Sequence, residues 1–219
     1  MLREDRYGKT LLALAGAGLA LVLAACGTND DHAATHHEGA ASVSSSADEG
    51  PYAGRELPEP KARPAFTLTD QTGATYDFAA ATAGQPTMLF FGYANCPDVC
   101  PTTMADVALA LRSVPEDVAA RTQVVFVTTD PARDTADFLG SYLARFDAGL
   151  PNRFIGLTGT QAAVEAAQEA AEVPLAEGNG TMHATSLYLF GTDDLARVMF
   201  SAGDTSAEIA QDLEVVANA

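Results

Sequence analysis

The run Thr87-Met88-Leu89-Phe90-Phe91, with Cys96-Pro97-Asp98-Val99-Cys100-Pro101 close behind it, constrains the possible folds of this chain more than any other feature. An apolar run with no polar alternation suits a strand covered on both faces, and therefore a sheet flanked by helices. The segment after the cysteines supplies one such helix. Met104, Val107, Ala108 and Leu111 recur at i, i+3, i+4 and i+7, the period of an apolar helical face. Pro101 falls in its first turn, where a missing N–H is no loss.

The alternation continues along the chain. Gln123-Val124-Val125-Phe126-Val127 reads as a strand, and Phe138, Tyr142 and Phe146 share one helical face with Leu139 and Leu143. Phe154-Ile155-Gly156-Leu157 is a further strand, followed by an Ala-rich helix over residues 161–172. Ser186-Leu187-Tyr188-Leu189-Phe190 and Arg197-Val198-Met199-Phe200 flank a turn at residues 191–194, which predicts a hairpin. Thr205 and Glu208 form a capping box ahead of a helix that buries Ile209, Leu213 and Val216. Upstream, residues 66–69 and 74–78 alternate around Asp70-Gln71-Thr72-Gly73, the pattern of another hairpin. Parallel β-α-β-α units closed by a hairpin and a helix predict an α/β domain of thioredoxin-like fold over residues 63–219, with an N-terminal β-hairpin extension. That length suits a single core.

At the N-terminus Arg3, Arg6 and Lys9 precede an apolar, small-residue run over residues 11–25. A basic head and a short apolar stretch mark a secretory signal, and the run falls short of the roughly 20 residues that a spanning helix needs. It ends in Leu23-Ala24-Ala25-Cys26-Gly27, similar to the bacterial lipobox, in which the cysteine is lipidated and becomes the first mature residue. Residues 1–25 are therefore expected to be a lipoprotein signal peptide, and residues 26–62 a flexible tether anchored through Cys26 to the extracytoplasmic face of the bacterial cell membrane. The tether has almost no large apolar side chains with which to offset chain entropy. His32, His36 and His37 within it read as polar filler rather than a metal collector. Losing residues 1–25 removes three basic and two acidic residues, which takes the formal charge from −17 to −18. Such a field repels phosphate backbones and excludes nucleic acid as a partner; it suits a cationic cargo or a basic protein.

With Cys26 assigned to the lipid, Cys96 and Cys100 remain. Two thiols on one short segment outside the cytoplasm are a disulfide, a redox couple or a soft-metal site. They sit where a strand gives way to a helix, the place where open α/β sheets build their sites. The helix N-terminus favours thiolate over thiol, and spacing of four brings both sulfurs to one side of the first turn. Asp98 between them works the other way, raising the thiols and favouring a bound cation. His183 tilts the balance between redox and metal chemistry. It is the one histidine outside the tether, and the topology makes the loop that carries it face the dithiol. Thioredoxin-type oxidoreductases place a cis-proline in that loop, whereas here the nearest preceding proline is Pro174. Two thiolates and an imidazole suit Cu(I), and the imidazole can also serve Cu(II).

These residues resemble the SCO/SenC family of copper proteins for cytochrome c oxidase assembly. The matches are Phe90-Phe91-Gly92-Tyr93 before Cys96-Pro97-Asp98-Val99-Cys100-Pro101-Thr102, Thr129-Asp130-Pro131-Ala132-Arg133-Asp134-Thr135, and a histidine ahead of an apolar strand. The resemblance implies that Cys96, Cys100 and His183 bind copper, and that the chain is a metallochaperone for the dinuclear copper site of cytochrome c oxidase subunit II, with other copper chaperones as further partners. Its alternative is a thiol–disulfide reductase that keeps the copper-site cysteines reduced, with Cys96 and Cys100 cycling between dithiol and disulfide. Asp130, Arg133 and Asp134 are expected to form a helix cap and ion pair beside the site. Family members commonly carry Asp before the histidine; the Met182 found here reads as a tolerated substitution rather than an added thioether ligand.

Overall fold

In the computed structural model, which describes residues 50–178 and 181–218, the chain runs β1 (Arg55–Ala62), β2 (Thr67–Asp70), β3 (Thr75–Asp77), α1 (Phe78–Thr82), β4 (Thr87–Gly92), α2 (Val99–Ser113), α3 (Glu116–Arg121), β5 (Gln123–Thr128), α4 (Ala136–Leu143), β6 (Ile155–Thr158), α5 (Gln161–Ala170), β7 (Leu187–Phe190), β8 (Leu195–Phe200) and α6 (Ser206–Ala217). Residues 1–25, Cys26 and His32, His36 and His37 lie outside the described residues. One sheet takes up all these strands in the order β1-β8-β7-β4-β5-β6-β2-β3. The pairs β4–β5 and β5–β6 are parallel and the others antiparallel. The thioredoxin-like fold is built from β4 to β6, the β7–β8 hairpin and their helices, with the β2–β3 hairpin as the extension at one edge.

Strand β4 is buried at every position, and the two cores explain why its sequence does not alternate. Met88 and Phe90 point into the core under α2, α3, α4 and α6. Leu89 and Phe91 point into the opposite core, closed by Phe78 of α1 and Val164 and Ala167 of α5. Helix starts follow local chemistry: Thr135 and Thr160 accept from Phe138 N and Ala163 N, and Thr205 with Glu208 completes the capping box of α6.

Three features depart from the sequence reading. The last eight residues assigned to the tether are strand β1, paired with β8 from Arg55↔Met199 to Ala62↔Leu195 across a bulge. Its own side chains are mostly exposed, so composition reads as linker; Pro58 and Pro60 are tolerated because β1 is an edge strand. Helix α3 buries only Val118 and Ala119, too few positions to display a period. The expected apolar face around Phe138 and Phe146 is narrower: α4 ends at Leu143, its buried face is Leu139, Tyr142 and Leu143, and Phe138 is exposed.

Arg63 fastens the start of the domain. Its side chain is 4% exposed and pairs with Asp194 at 2.8 Å. It also donates to Thr82 Oγ1 at 2.8 Å and to the Gln85 carbonyl at 2.9 Å, and lies over the Phe190 ring at 5.1 Å. Arg63→Ala is expected to lower unfolding stability by about 3 kcal/mol, the low end for removing one partner of a buried ion pair because Asp194 stays half-exposed. Arg63→Lys should recover less than half, since an ammonium cannot reproduce the guanidinium fork. Denaturant melts of the three proteins measure both.

Candidate metal centre

The segment between β4 and α2 is held from the side by the loop after β5. Thr129 N donates to the Gly92 carbonyl at 2.7 Å, and Ala94 N donates to Asp134 Oδ2 at 2.8 Å. Thr128 Oγ1 donates to the same carboxylate oxygen at 2.7 Å, and Thr158 Oγ1 donates to the Asp134 carbonyl at 3.0 Å. Burial pushes the Asp134 carboxyl up, against the pull of the Ala94 N–H and the Thr128 hydroxyl. Asp134 is thus a tie between the cysteine segment, β5 and β6. At the end of β4, Gly92 leaves room for a sulfur. A Cβ there would stand 3.0 Å from Cys100 Sγ and 2.6 Å from the Phe90 ring.

Cys100 is fully buried and Cys96 partly so; both are free thiols. Cys100 Sγ lies 3.6 Å from His183 Nε2, and His183 Nδ1 lies 2.8 Å from the Ala184 carbonyl. A carbonyl only accepts, so Nδ1 donates its proton there, which turns Nε2 toward the sulfur. Edge-on contacts with Tyr93 at 5.5 Å and Phe90 at 6.2 Å fix the plane of the ring. Among the described residues no three His, Cys, Asp or Glu side chains are closed to chelating distance; His183 touches Cys100, and Cys100 in turn touches Cys96.

The two sulfurs are electrically unlike. Asp98 takes the N-cap position of α2 without a side-chain cap bond. The Cys96 sulfur takes that role, accepting from Cys100 N at 3.5 Å. Burial raises the Cys96 thiol, but the backbone N–H groups of Cys100 and Asp98, the Cys100 thiol and the Tyr93 hydroxyl together bring it below the ordinary thiol value. Cys100 goes the other way: burial pushes it far up, and the neighbouring Cys96 and Asp134 add to the rise.

Asp98 therefore touches the site through its main chain, and its N–H lowers Cys96 where its carboxylate was expected to raise the thiols. The expected ion pair of Asp130 and Arg133 forms, with Asp130 buried, but the helix cap is Thr135. Met182 is 65% exposed; it pairs through its backbone with Glu177, and its sulfur packs toward Gly178. Sequence reading missed the tie made by Asp134 and the central place of Tyr93. An aromatic directly after a central strand and ahead of two thiols, as Tyr93 is, signals a ring over the site.

Fold and site define a thioredoxin-like domain in which a buried thiol at the end of the central strand lies between a helix-capping thiol and an oriented imidazole. The SCO1/SenC family model matches residues 55–218, and the chain belongs to that family. A Stutzerimonas stutzeri protein named for copper binding is 33% identical over 147 residues, which are 64% of this chain and 70% of that one. The structure of Bradyrhizobium japonicum ScoI with copper bound is 33% identical with a TM-score of 0.60, covering 71% of this chain and 99% of that one. Apo Sco1 of Thermus thermophilus is 27% identical with a TM-score of 0.63, covering 75% and 96%. The chain spans about half or less of the curated rickettsial and mitochondrial relatives that it matches.

The difference between the sulfurs sets a pH dependence. With the reduced protein, alkylation by iodoacetamide is expected at Cys96 first, its rate rising with pH to a midpoint below that of the same cysteine in the unfolded chain. Cys100 should stay unmodified in the folded state, and Cys96→Ser should be inert over the same range. Peptide mapping by mass spectrometry reads each site; faster labelling of Cys100 contradicts the assignment.

Proposed function

We propose that this chain is a lipid-anchored copper metallochaperone that binds copper through Cys96, Cys100 and His183 and delivers it to the dinuclear copper site of cytochrome c oxidase subunit II. The reading rests on His183 Nε2 at 3.6 Å from the buried Cys100 sulfur, with a second sulfur on the same helix terminus. Two soft sulfurs and one imidazole suit Cu(I), and the imidazole also accommodates Cu(II). Family membership and the copper-bound relative support the cargo. The division of labour between the sulfurs supports delivery: Cys96 is the donor that an acceptor's thiolate can reach, while Cys100 and His183 hold the ion from the inside. Anchoring is assigned to Cys26, on the extracytoplasmic face of the membrane. Among the described residues no helix is long and apolar enough to cross a membrane.

The thiol asymmetry also favours a second reading, thiol–disulfide reduction of the oxidase copper-site cysteines. The Cys96 thiolate would attack the target disulfide, releasing one target thiolate, and Cys100 would displace the other, leaving a Cys96–Cys100 disulfide and a target dithiol. Both sulfurs must be reduced to take up Cu(I), so one protein can do both.

Titration of the reduced chain with Cu(I) should show one equivalent bound. His183→Ala should weaken binding by more than the roughly 10–100-fold that loss of an outer-shell partner causes; unchanged affinity would remove His183 from the site. Cu(II) added to the reduced protein should give a thiolate charge-transfer absorption band that is absent from Cys96→Ser. Retention of insulin or subunit II disulfide reduction by His183→Ala, with copper uptake lost, would shift the assignment to the reductase. Cys26→Ser should move the protein from the membrane fraction to the soluble one.

A further inference from the structure

Beside the first two turns of α2 lies a slot of about 180 Å³ that the metal centre does not use. Val99, Leu187, Phe200 and Ile209 form its apolar floor. Asp98, Asp106 and Asp204 stand around it, and no basic residue lines it. Pockets for whole cofactors or drug-sized ligands run to roughly 300–1,000 Å³, so this slot suits one long side chain. It is walled by the elements that carry the donors: Val99 adjoins Cys100, and Thr185 lies just beyond His183.

Asp204 is engaged within its own turn, accepting from Ser201 N at 2.6 Å. Asp106 is not: its carboxylate has no hydrogen bond or ion pair among the described residues, and burial alone acts on it, raising it. A partly desolvated carboxylate without a partner, at the lip of an apolar slot, is a group that an incoming cation stabilises. The occupant that satisfies both surfaces has an aliphatic stem and a cationic head. Arginine has that form, and arginine is a frequent anchor of protein interfaces.

We propose that this slot is the docking point for a partner protein, which inserts an Arg side chain flanked by apolar residues, its stem over Val99, Leu187, Phe200 and Ile209 and its guanidinium beside Asp106. The inference rests on the reading of the chain as a copper donor to another protein, and it names the chemistry by which that protein is held. Insertion sets the partner's neighbouring residues against Val99 and Thr185, next to Cys100 and His183. The formal charge of −17 draws a basic surface in at long range, and the slot fixes its register.

The test uses the full chain in non-ionic detergent and a short fluorescein-labelled peptide of sequence Leu-Val-Arg-Val-Leu, with Leu-Val-Glu-Val-Leu as its counterpart, read by fluorescence anisotropy. The Arg peptide is expected to bind, more weakly as salt rises, and the Glu peptide to bind at least about tenfold less well, a difference of about 1.4 kcal/mol. Asp106→Lys should weaken the Arg peptide by a similar factor. Glu165→Lys, an equal charge change on α5 beneath the opposite face of the sheet, should leave it within about twofold. Equal losses in the two variants, equal binding of the two peptides, or no binding of the Arg peptide overturns the proposal. Circular dichroism melts confirm that both variants are folded. Cu(I) uptake by the same preparations is scored separately: peptide binding without copper uptake sinks the copper reading and leaves the slot, and copper uptake without peptide binding does the reverse.

Discussion

A strand enclosed on both faces can carry polar chemistry only where it stops, and the layout of this molecule follows from that constraint on β4. With Met88 and Phe90 committed to one core and Leu89 and Phe91 to the other, the first residues able to meet solvent or a ligand are those after Gly92. The backbone there leaves the sheet and must find hydrogen-bond partners elsewhere. The loop after β5 provides them through Thr129 and the buried carboxylate of Asp134. Asp134 is also bonded to the hydroxyls of Thr128 and Thr158, so the position of the cysteine segment is set by two neighbouring strands at once.

One helix terminus then gives two equal side chains unequal chemistry. Cys96 lies outside the first turn and receives N–H groups that a capping oxygen would otherwise satisfy. Cys100 lies inside the turn, against Gly92 and the aromatic core, where charge is disfavoured. The first is partly exposed and inclined to the thiolate, the second sheltered and inclined to the thiol. Metal exchange and disulfide exchange both call for such a pair, which is why one geometry supports two related chemistries.

How far these features were legible in the sequence depends on the range of the interactions that create them. The double burial of β4, the apolar face of α2 and the capping box at Thr205 and Glu208 are local or periodic, and each appears where the pattern placed it. The strand β1 was not legible because its pairing is made by main chain against β8, and its own side chains stay outside. The same holds within the site. Cysteine spacing and the lone domain histidine were readable, and the topology correctly brought His183 beside Cys100. The bond from Ala94 to Asp134 spans 40 residues and leaves no periodic trace; residue type suggested an ion pair or a cap there. For Asp98, the side chain drew attention, whereas the atom that matters is its amide nitrogen.

The hydrogen bond between His183 Nδ1 and the Ala184 carbonyl fixes the imidazole before any ligand arrives. An imidazole on a free loop must give up torsional freedom when it binds, which weakens the complex by an ordering penalty. Here that freedom is already lost on folding, through the carbonyl on one side and the edges of Tyr93 and Phe90 around the ring. His183 and Cys100 thus form a preorganised pair, with the ring already oriented toward the sulfur at 3.6 Å. On the copper-donor reading proposed above, Cys96 is the only one of the three donors that is not locked by burial or by the ring's contacts, so it would set the tempo of handover.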